Sequence, residues 1–380
     1  MDNQVETAVA YWASRWLPLK MAGAYARELE QSGVVDGMVV WDFATNWWPR
    51  VLWNSDVTPM VTQIPDLDSM PDGFLVSAAA QVSTDRFNFG VSSDAIRRDP
   101  PELMQAMLTL ASAGEGSPRL LLGAGETRNI TPFGRKRSVG LKRLEDALRL
   151  FRIWQQAEGP IDFDGRFWTM RDAWLGRAGM NNPPKFFAMG GGPKLVSLAA
   201  ELADGIVTGS PFVFPRTADY AQFVAEVTSA IQRHGRAVDE FTFGLYHVLF
   251  LVDDHAEFLD NLDHPLLKWW AVTGGRFNQA DWKHEGIDPV LPIEWHYAND
   301  MLPAGMTLEE TYAIIDRVPP EMVEKSFVWG TPEEVAAHLN DFTEAGCRYH
   351  LLADLSPGLV PTDPQRVTQR YIQVCDLLKR

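Results

Sequence analysis

V-V-W-D-F-A-T-N-W-W, Val39 to Trp48, is an apolar run that ends on one carboxylate, Asp42, and is followed at once by a crowd of aromatics. A short apolar run bounded by polar or glycine signals reads as a strand buried on both faces, with its carboxyl end opening on a rim. The same order recurs along the chain. Arg86–Val91 leads into Ser92 and Ser93, Arg119–Gly123 leads into A-G-E at 124–126, and Lys185–Met189 leads into G-G-G-P at 190–193. Between such runs lie stretches of helical period, clearest in G-L-K-R-L-E-D-A-L-R-L-F-R-I-W-Q-Q, Gly140 to Gln156. Strands alternating with helices about eight times imply a parallel sheet with helices outside. Eight units favour an α/β fold of the closed (β/α)8 TIM-barrel kind over an open doubly wound sheet.

The whole chain, 1–380, is expected to form one barrel domain with two insertions. D-F-D-G-R-F-W-T-M, Asp162 to Met170, sets Asp-Gly between aromatic flanks and predicts a hairpin insertion near 160–172. A long insertion near 256–320 is too apolar for a disordered linker. Past it, Thr331 is placed to cap a helix with Glu334 at the capping-box position.

Composition narrows the partners. A net charge of −16 argues against nucleic acid and anionic membranes, whose phosphates need excess Lys and Arg. It leaves room for an anionic cofactor held by backbone N–H groups and a few Arg. Two cysteines, Cys347 and Cys375, make no disulfide framework and no zinc module. The opening M-D-N-Q-V-E-T-A-V is acidic where a secretory leader is basic, and no apolar run reaches membrane length, so the expected location is cytoplasmic.

If the strands close a barrel, their carboxyl ends form the binding rim. Asp42, Ser92, Ser93, Glu126 and the Gly190–Gly192 turn then converge. Gly123 and Gly125 let backbone approach a flat ligand, and G-G-G-P-K opening a helix suits a phosphate, although a plain glycine turn has the same look. Arg97 and Arg98 form a pair able to grip an anionic tail, or a solvated surface pair. His247, within strand seven, is a proton donor if it faces the lumen and a core histidine if it faces the shell; His264 and His296 are open in the same way. Trp47, Trp48, Trp53, Trp269 and Trp270 suggest a dry cleft for a bulky apolar substrate, or core. No motif points to a metal, a Rossmann site or a serine hydrolase.

Taken in order, Asp42, R-R-D-P at 97–100, L-L-G-A-G-E at 121–126, R-L-E-D-A-L-R-L-F-R-I-W at 143–154, A-M-G-G-G-P at 188–193, A-D-G-I-V at 203–207 and W-G-T-P-E-E-V-A-A-H-L from Trp329 resemble the bacterial-luciferase-like flavin and deazaflavin oxidoreductases. Within that family the chain most resembles the coenzyme F420-dependent branch, in particular the phthiodiolone ketoreductases. The resemblance implies hydride transfer at the deazaflavin C5 to or from a carbonyl, alcohol or activated alkene of a small-molecule substrate, and a homodimer. It implies catalytic roles for Asp42, Trp47 and Glu126, beside His247 as the candidate proton donor from its place in strand seven. It implies cofactor contacts from Asp42, Val91, Ser92, Ser93, Arg98, Gly125, Glu126, Gly190, Gly191, Gly192 and Pro193, with a non-prolyl cis peptide near Val91–Ser92. One departure stands out: relatives carry Asp-His after strand two, and here the pair is Asp42-Phe43. Phe43 moves no proton, so that mechanism does not transfer, and an FMN-dependent monooxygenase or a non-catalytic binding barrel remain alternatives.

Overall fold

The structure, a computed structural model, describes residues 5–359 and 363–380; residues 1–4, where the expected leader comparison begins, lie outside it. Eight strands form the barrel: β1 (Glu6–Tyr11), β2 (Gly37–Trp41), β3 (Asn88–Asp94), β4 (Arg119–Gly123), β5 (Lys185–Met189), β6 (Gly205–Ser210), β7 (Thr242–Leu251) and β8 (Tyr349–Asp354). Each pairs in parallel with the next, and β8 returns to β1 through Glu6 opposite Tyr349, so the sheet closes. This is a (β/α)8 barrel with helices outside. A short ninth strand, Val328–Gly330, pairs with Leu249–Leu251 of β7 beyond the residues that β7 gives to β6.

The strands read as continuous apolar runs because both faces are covered. Ala8, Val39, Leu121, Phe187, Val207, Tyr349 and Leu351 pack together in the lumen. Alternate residues such as Val9, Val40, Leu120 and Leu352 point outward against the helices.

The hairpin Ile161–Asp164 with Thr169–Ala173 lies between β4 and β5. The segment between β7 and Val328 folds into short helices around Pro265–Gly274, in which every residue but Pro265 and Lys268 is buried. With the 43–70 loop it builds a second apolar core over the strand ends: Trp48, Leu52, Trp53, Leu266, Trp269, Trp270 and Trp282. The helix Pro332–Glu344 carries the capping box of Thr331 and Glu334.

Candidate active site

A cavity of about 600 Å³ opens at the carboxyl ends of the strands, under the insertion. Ligand cavities of this kind fall in the range of several hundred cubic ångströms. Its floor is the top of the lumen. Trp41 stacks on Phe43 at 5.5 Å and meets Tyr246 edge-on at 5.1 Å, and Met189 accepts a contact from Ser92 Oγ at 3.2 Å.

Asp42 anchors the rim. Its side chain is fully buried, and both oxygens are engaged: Oδ2 accepts from Ser93 Oγ at 2.8 Å and Arg98 Nε at 3.0 Å, while Oδ1 accepts from Arg98 Nη2 at 3.2 Å and Gly73 N at 3.3 Å. Arg97 donates to the Asp42 carbonyl and reaches Oδ1 at 3.5 Å. Burial alone would push this carboxyl up; the Arg98 hydrogen bond, the charges of Arg97 and Arg98 and the Ser93 hydroxyl outweigh it, and the net direction is down. Asp42 is therefore a fixed anion with its lone pairs committed.

Glu126 faces the cavity beside a buried arginine. Arg128 Nε and Nη2 lie 2.8 and 2.7 Å from one Glu126 oxygen, and the same guanidinium sits 4.4 Å from the Phe43 ring and 5.2 Å from Trp47. Cation and aromatics thus hold one another in a stack. Trp47 lines the cavity with its ring, while its indole N–H donates to Thr273 Oγ1 at 2.8 Å.

The glycine turn stands across from the aromatics. Gly190 has φ +144°, and a Cβ on Gly191 would meet Val213 at 3.0 Å and Thr208 Oγ1 at 3.3 Å. Gly192 is the N-cap of Pro193–Leu202, a helix start with no capping side chain. Thr208 Oγ1 lines this end, and Arg137 Nε lines the cavity nearer Glu126 and Tyr297, each buried and without a partner; neither Arg137 nor Lys194 has an ion pair among the described residues.

The cavity brings together Asp42, Trp47, Ser92, Ser93, Gly125, Glu126, Gly190, Gly191, Gly192 and Pro193. Three expected residues lie elsewhere. Val91 points outward into the shell core, because Ser92 takes the inward position on β3. Arg98 is spent on Asp42 and on Asp72, at 2.6 Å, so it is not free for a cofactor tail. His247 alternates with inward-facing Tyr246 and so faces the shell, where it is fully buried with Nε2 3.0 Å from His350 Nδ1. The expected cis peptide near Val91–Ser92 is also absent: among the described residues the one cis bond is Ser210–Pro211, and Ser92 and Ser93 keep regular register with Leu121 and Leu122. Of the five tryptophans expected to line a cleft, Trp47, Trp48 and Trp270 do; Trp53 and Trp269 are core.

Sequence reasoning passed over Arg128, Arg137, Lys194 and Thr208, and left His296 open. Only Lys194 carried a signal, as part of the G-G-G-P-K turn; the direction of an arginine in an irregular loop is not encoded in spacing. Among the described residues, His247, Cys347 and His350 bring three potential metal-ligating atoms within 4.8 Å of one another. They lie in the shell, outside the cavity, with His350 Nε2 at 3.0 Å from Thr343 Oγ1.

A closed parallel barrel with a cofactor-sized cavity over its strand ends defines a TIM-barrel protein with its binding site in the position usual for the fold. The family model described as luciferase-like monooxygenase matches residues 17–349, and the chain belongs to that family. It is similar to the phthiodiolone/phenolphthiodiolone dimycocerosates ketoreductase of Mycobacterium bovis (strain BCG / Pasteur 1173P2), 24% identical over 73% of each chain. It is also similar to the F420-dependent glucose-6-phosphate dehydrogenase of Kineococcus radiotolerans, 24% identical over 70% of this chain and 72% of the relative. Among solved structures, an F420-dependent secondary alcohol dehydrogenase in complex with an F420-acetone adduct shares the fold with a TM-score of 0.73, at 16% identity, over 99% of this chain and 100% of the other. No described helix is long and apolar enough to cross a membrane.

Proposed function

We propose that this chain is a coenzyme F420-dependent oxidoreductase that exchanges a hydride between C5 of the deazaflavin and a carbonyl or alcohol carbon, or an activated alkene, of a bulky apolar substrate. The observation that carries this reading is the division of the cavity into two ends. Over β5 and β6 stand Lys194, the Thr208 hydroxyl and the open glycine turn, an assembly suited to an anionic tail, with the Arg137 cation lining the same cavity nearer Glu126 and Tyr297. Opposite stand Trp12, Trp47, Trp48, Trp270, Phe277 and Tyr297, a wall suited to an apolar partner. The names of the two relatives, a ketoreductase and an F420-dependent dehydrogenase, support the same reading.

The residues present fit the cofactor: unpartnered Thr208 Oγ1 and the bare Gly190–Gly192 turn would hold its charged end, with the Arg137 cation in the same cavity, and Trp41, Met189 and Tyr246 would lie beneath its ring. Bound, a deazaflavin supplies a carbon centre that gives or takes a hydride. The chain's own part is positioning and the exclusion of water. The Arg128 stack fixes Phe43 and Trp47, the tryptophans keep the substrate side dry, and Asp42 holds β2 and β3 together at the rim. We further place the protein in the cytoplasm as a homodimer; exposed Leu19, Met21 and Leu75, on two helices packed against one another, are apolar surface for such a contact.

Titration of the purified protein with F420 and with FMN tests the cofactor. Saturable quenching of F420 fluorescence, with no FMN retained, is the expected result. FMN retention with oxygen uptake on reduction would establish a monooxygenase instead, and binding of neither would leave a non-catalytic barrel. Loss of F420 affinity by about tenfold or more in Arg137→Gln follows from removing a cation that shares the cavity with an anionic cofactor.

A further inference from the structure

Phe43 carries no polar hydrogen, the Asn46 amide beside it is turned to Leu67 O at 3.3 Å, and Arg128 covers the Phe43 ring. Glu126 is held by the same arginine. The cavity nevertheless has a donor supplied by the insertion, whose short helix packs beside the segment that carries Glu126 and Arg128. His296 lines the cavity and is the N-cap of the short helix Tyr297–Asp300. Its ring Nδ1 accepts the Ala298 backbone N–H at 3.2 Å, and the His296 backbone N–H donates to Asp300 Oδ2 at 2.8 Å.

A nitrogen that accepts a backbone N–H carries no proton, so the hydrogen of a neutral ring belongs on Nε2. Nε2 has no hydrogen-bond partner within the protein among the described residues. The ring plane is fixed as well, stacked on Tyr297 at 4.8 Å, with Phe277 at 6.3 Å; Tyr297 in turn packs on Trp47 at 5.4 Å and on Phe277 at 4.1 Å. The charges acting on it are Arg137, Asp300 and Glu126. Burial, with Arg137 next, pushes the imidazole below its ordinary value against the opposing pull of Asp300 and Glu126, which agrees with a ring kept neutral.

From this geometry we propose that the Nε2–H of His296 is the hydrogen-bond donor that receives the substrate's oxygen, selecting carbonyl and alcohol substrates over oxygen-free alkenes. This deepens the oxidoreductase reading and rests on it. A neutral donor of this kind polarises a carbonyl and stabilises negative charge growing on its oxygen as the carbon accepts a hydride. It would do so while keeping its own proton: the carbon would take the hydride from the reduced cofactor, and the alkoxide oxygen would take its proton from water. The aromatic wall then sets which hydrocarbon bodies fit, and His296 sets where along that body the oxygen must lie.

The test is His296→Asn, with His296→Ala beside it. Asn is a preferred N-cap, so its Oδ1 can keep the Ala298 contact while its amide ends one ring atom short of the lost Nε2–H. The expected result for His296→Asn is unchanged thermal stability and F420 affinity, with kcat/KM for an aliphatic ketone down about 100-fold, the scale of one lost oxyanion donor. Inhibition by the matching hydrocarbon should be unchanged. Ketone turnover within threefold of the starting protein would overturn the proposal, as would an equal loss of affinity for the hydrocarbon. If the unaltered protein binds no F420, the oxidoreductase reading itself fails and this proposal with it; F420 binding with normal ketone turnover in His296→Asn removes this proposal alone. Should Ala unfold the rim, Asn still decides.

Discussion

Asp42 shows how one buried charge organises a rim. Two guanidiniums, a hydroxyl and a backbone N–H converge on it, which is what lets a carboxylate stay ionised out of water. Replacing it with Asn keeps the shape and strips the charge, leaving Arg97 and Arg98 facing a neutral amide. Because Arg98 is about a quarter exposed and partly hydrated, the expected cost is about 2–3 kcal/mol, below the range for breaking a fully buried pair. Chemical denaturation at pH 7 measures it. The carboxyl is held below its ordinary value in the fold, so its contribution is full above about pH 4 and is lost as the pH falls through the folded value. The gap between Asp42→Asn and the unaltered protein should therefore narrow in acid; a gap that stays constant from pH 7 to pH 3 would contradict this account. The sequence placed Asp42 at a strand end through its apolar approach. It did not show that R-R-D-P serves Asp42 and not a ligand, since paired arginines look alike in either role.

At the scale of elements, strand and helix positions followed from apolar period, because strands covered on both faces are short unbroken apolar runs. What period could not choose was the strand that closes the barrel; the register of β8 with both β1 and β7 decides it. Nor could it choose the side on which His247 lies. The structure turns it to the shell, where a hydrogen-bonded row runs from Leu339 O through Thr343 Oγ1 and the His350 ring to His247 Nε2, leaving His247 Nδ1 without a partner. Burial, and for His350 the Arg348 charge, pushes His350 down to about 3, and burial with His350 beside it pushes His247 down too. A histidine whose folded value lies below its unfolded value near 6.5 takes up protons on unfolding, so stability falls as pH drops below about 6.5 and continues to fall towards 3. Asp354, raised to about 6 by burial, has the opposite slope over roughly pH 4 to 6. Comparison with a double variant isolates the histidines: His247→Leu with His350→Leu should flatten the loss of melting temperature between pH 6.5 and 5 by several degrees relative to the unaltered protein. Identical slopes in the two proteins would show that the pair does not titrate on unfolding.

For the molecule as a whole, the question is whether the 253–327 segment is a lid that opens or a fixed part of the barrel. An opening lid would show few buried apolar contacts and many solvent-facing backbone hydrogen bonds. The observed seam is the reverse. Trp48 Nε1 donates to Leu266 O at 2.9 Å, Trp269 Nε1 to Trp47 O at 3.0 Å, Trp47 Nε1 to Thr273 Oγ1 at 2.8 Å, and Trp270 Nε1 to Ser326 O at 3.3 Å. The first three of these bonds cross between the loop after β2 and the helix Pro265–Gly274, the fourth ties that helix to the end of its own segment, and all lie in one continuous apolar core. Opening would expose several tryptophans at once, each worth about 2–3 kcal/mol of burial, so the helix should part from the barrel only in near-global unfolding. Native-state hydrogen exchange measures this amide by amide. Amides of 268–274 are expected to exchange as slowly as those of β2 and β3, and Trp48→Ala to speed them by at least tenfold. The short helix Tyr297–Asp300, held by its His296 cap and by stacking on Trp47 and Phe277, should exchange faster than 268–274 in the free protein and slow down when F420 and a ketone analogue are bound together. Fast exchange across 268–274 in the unliganded protein would mean that the segment opens as a unit, and the dry substrate side assigned to the cavity would then require closure on binding.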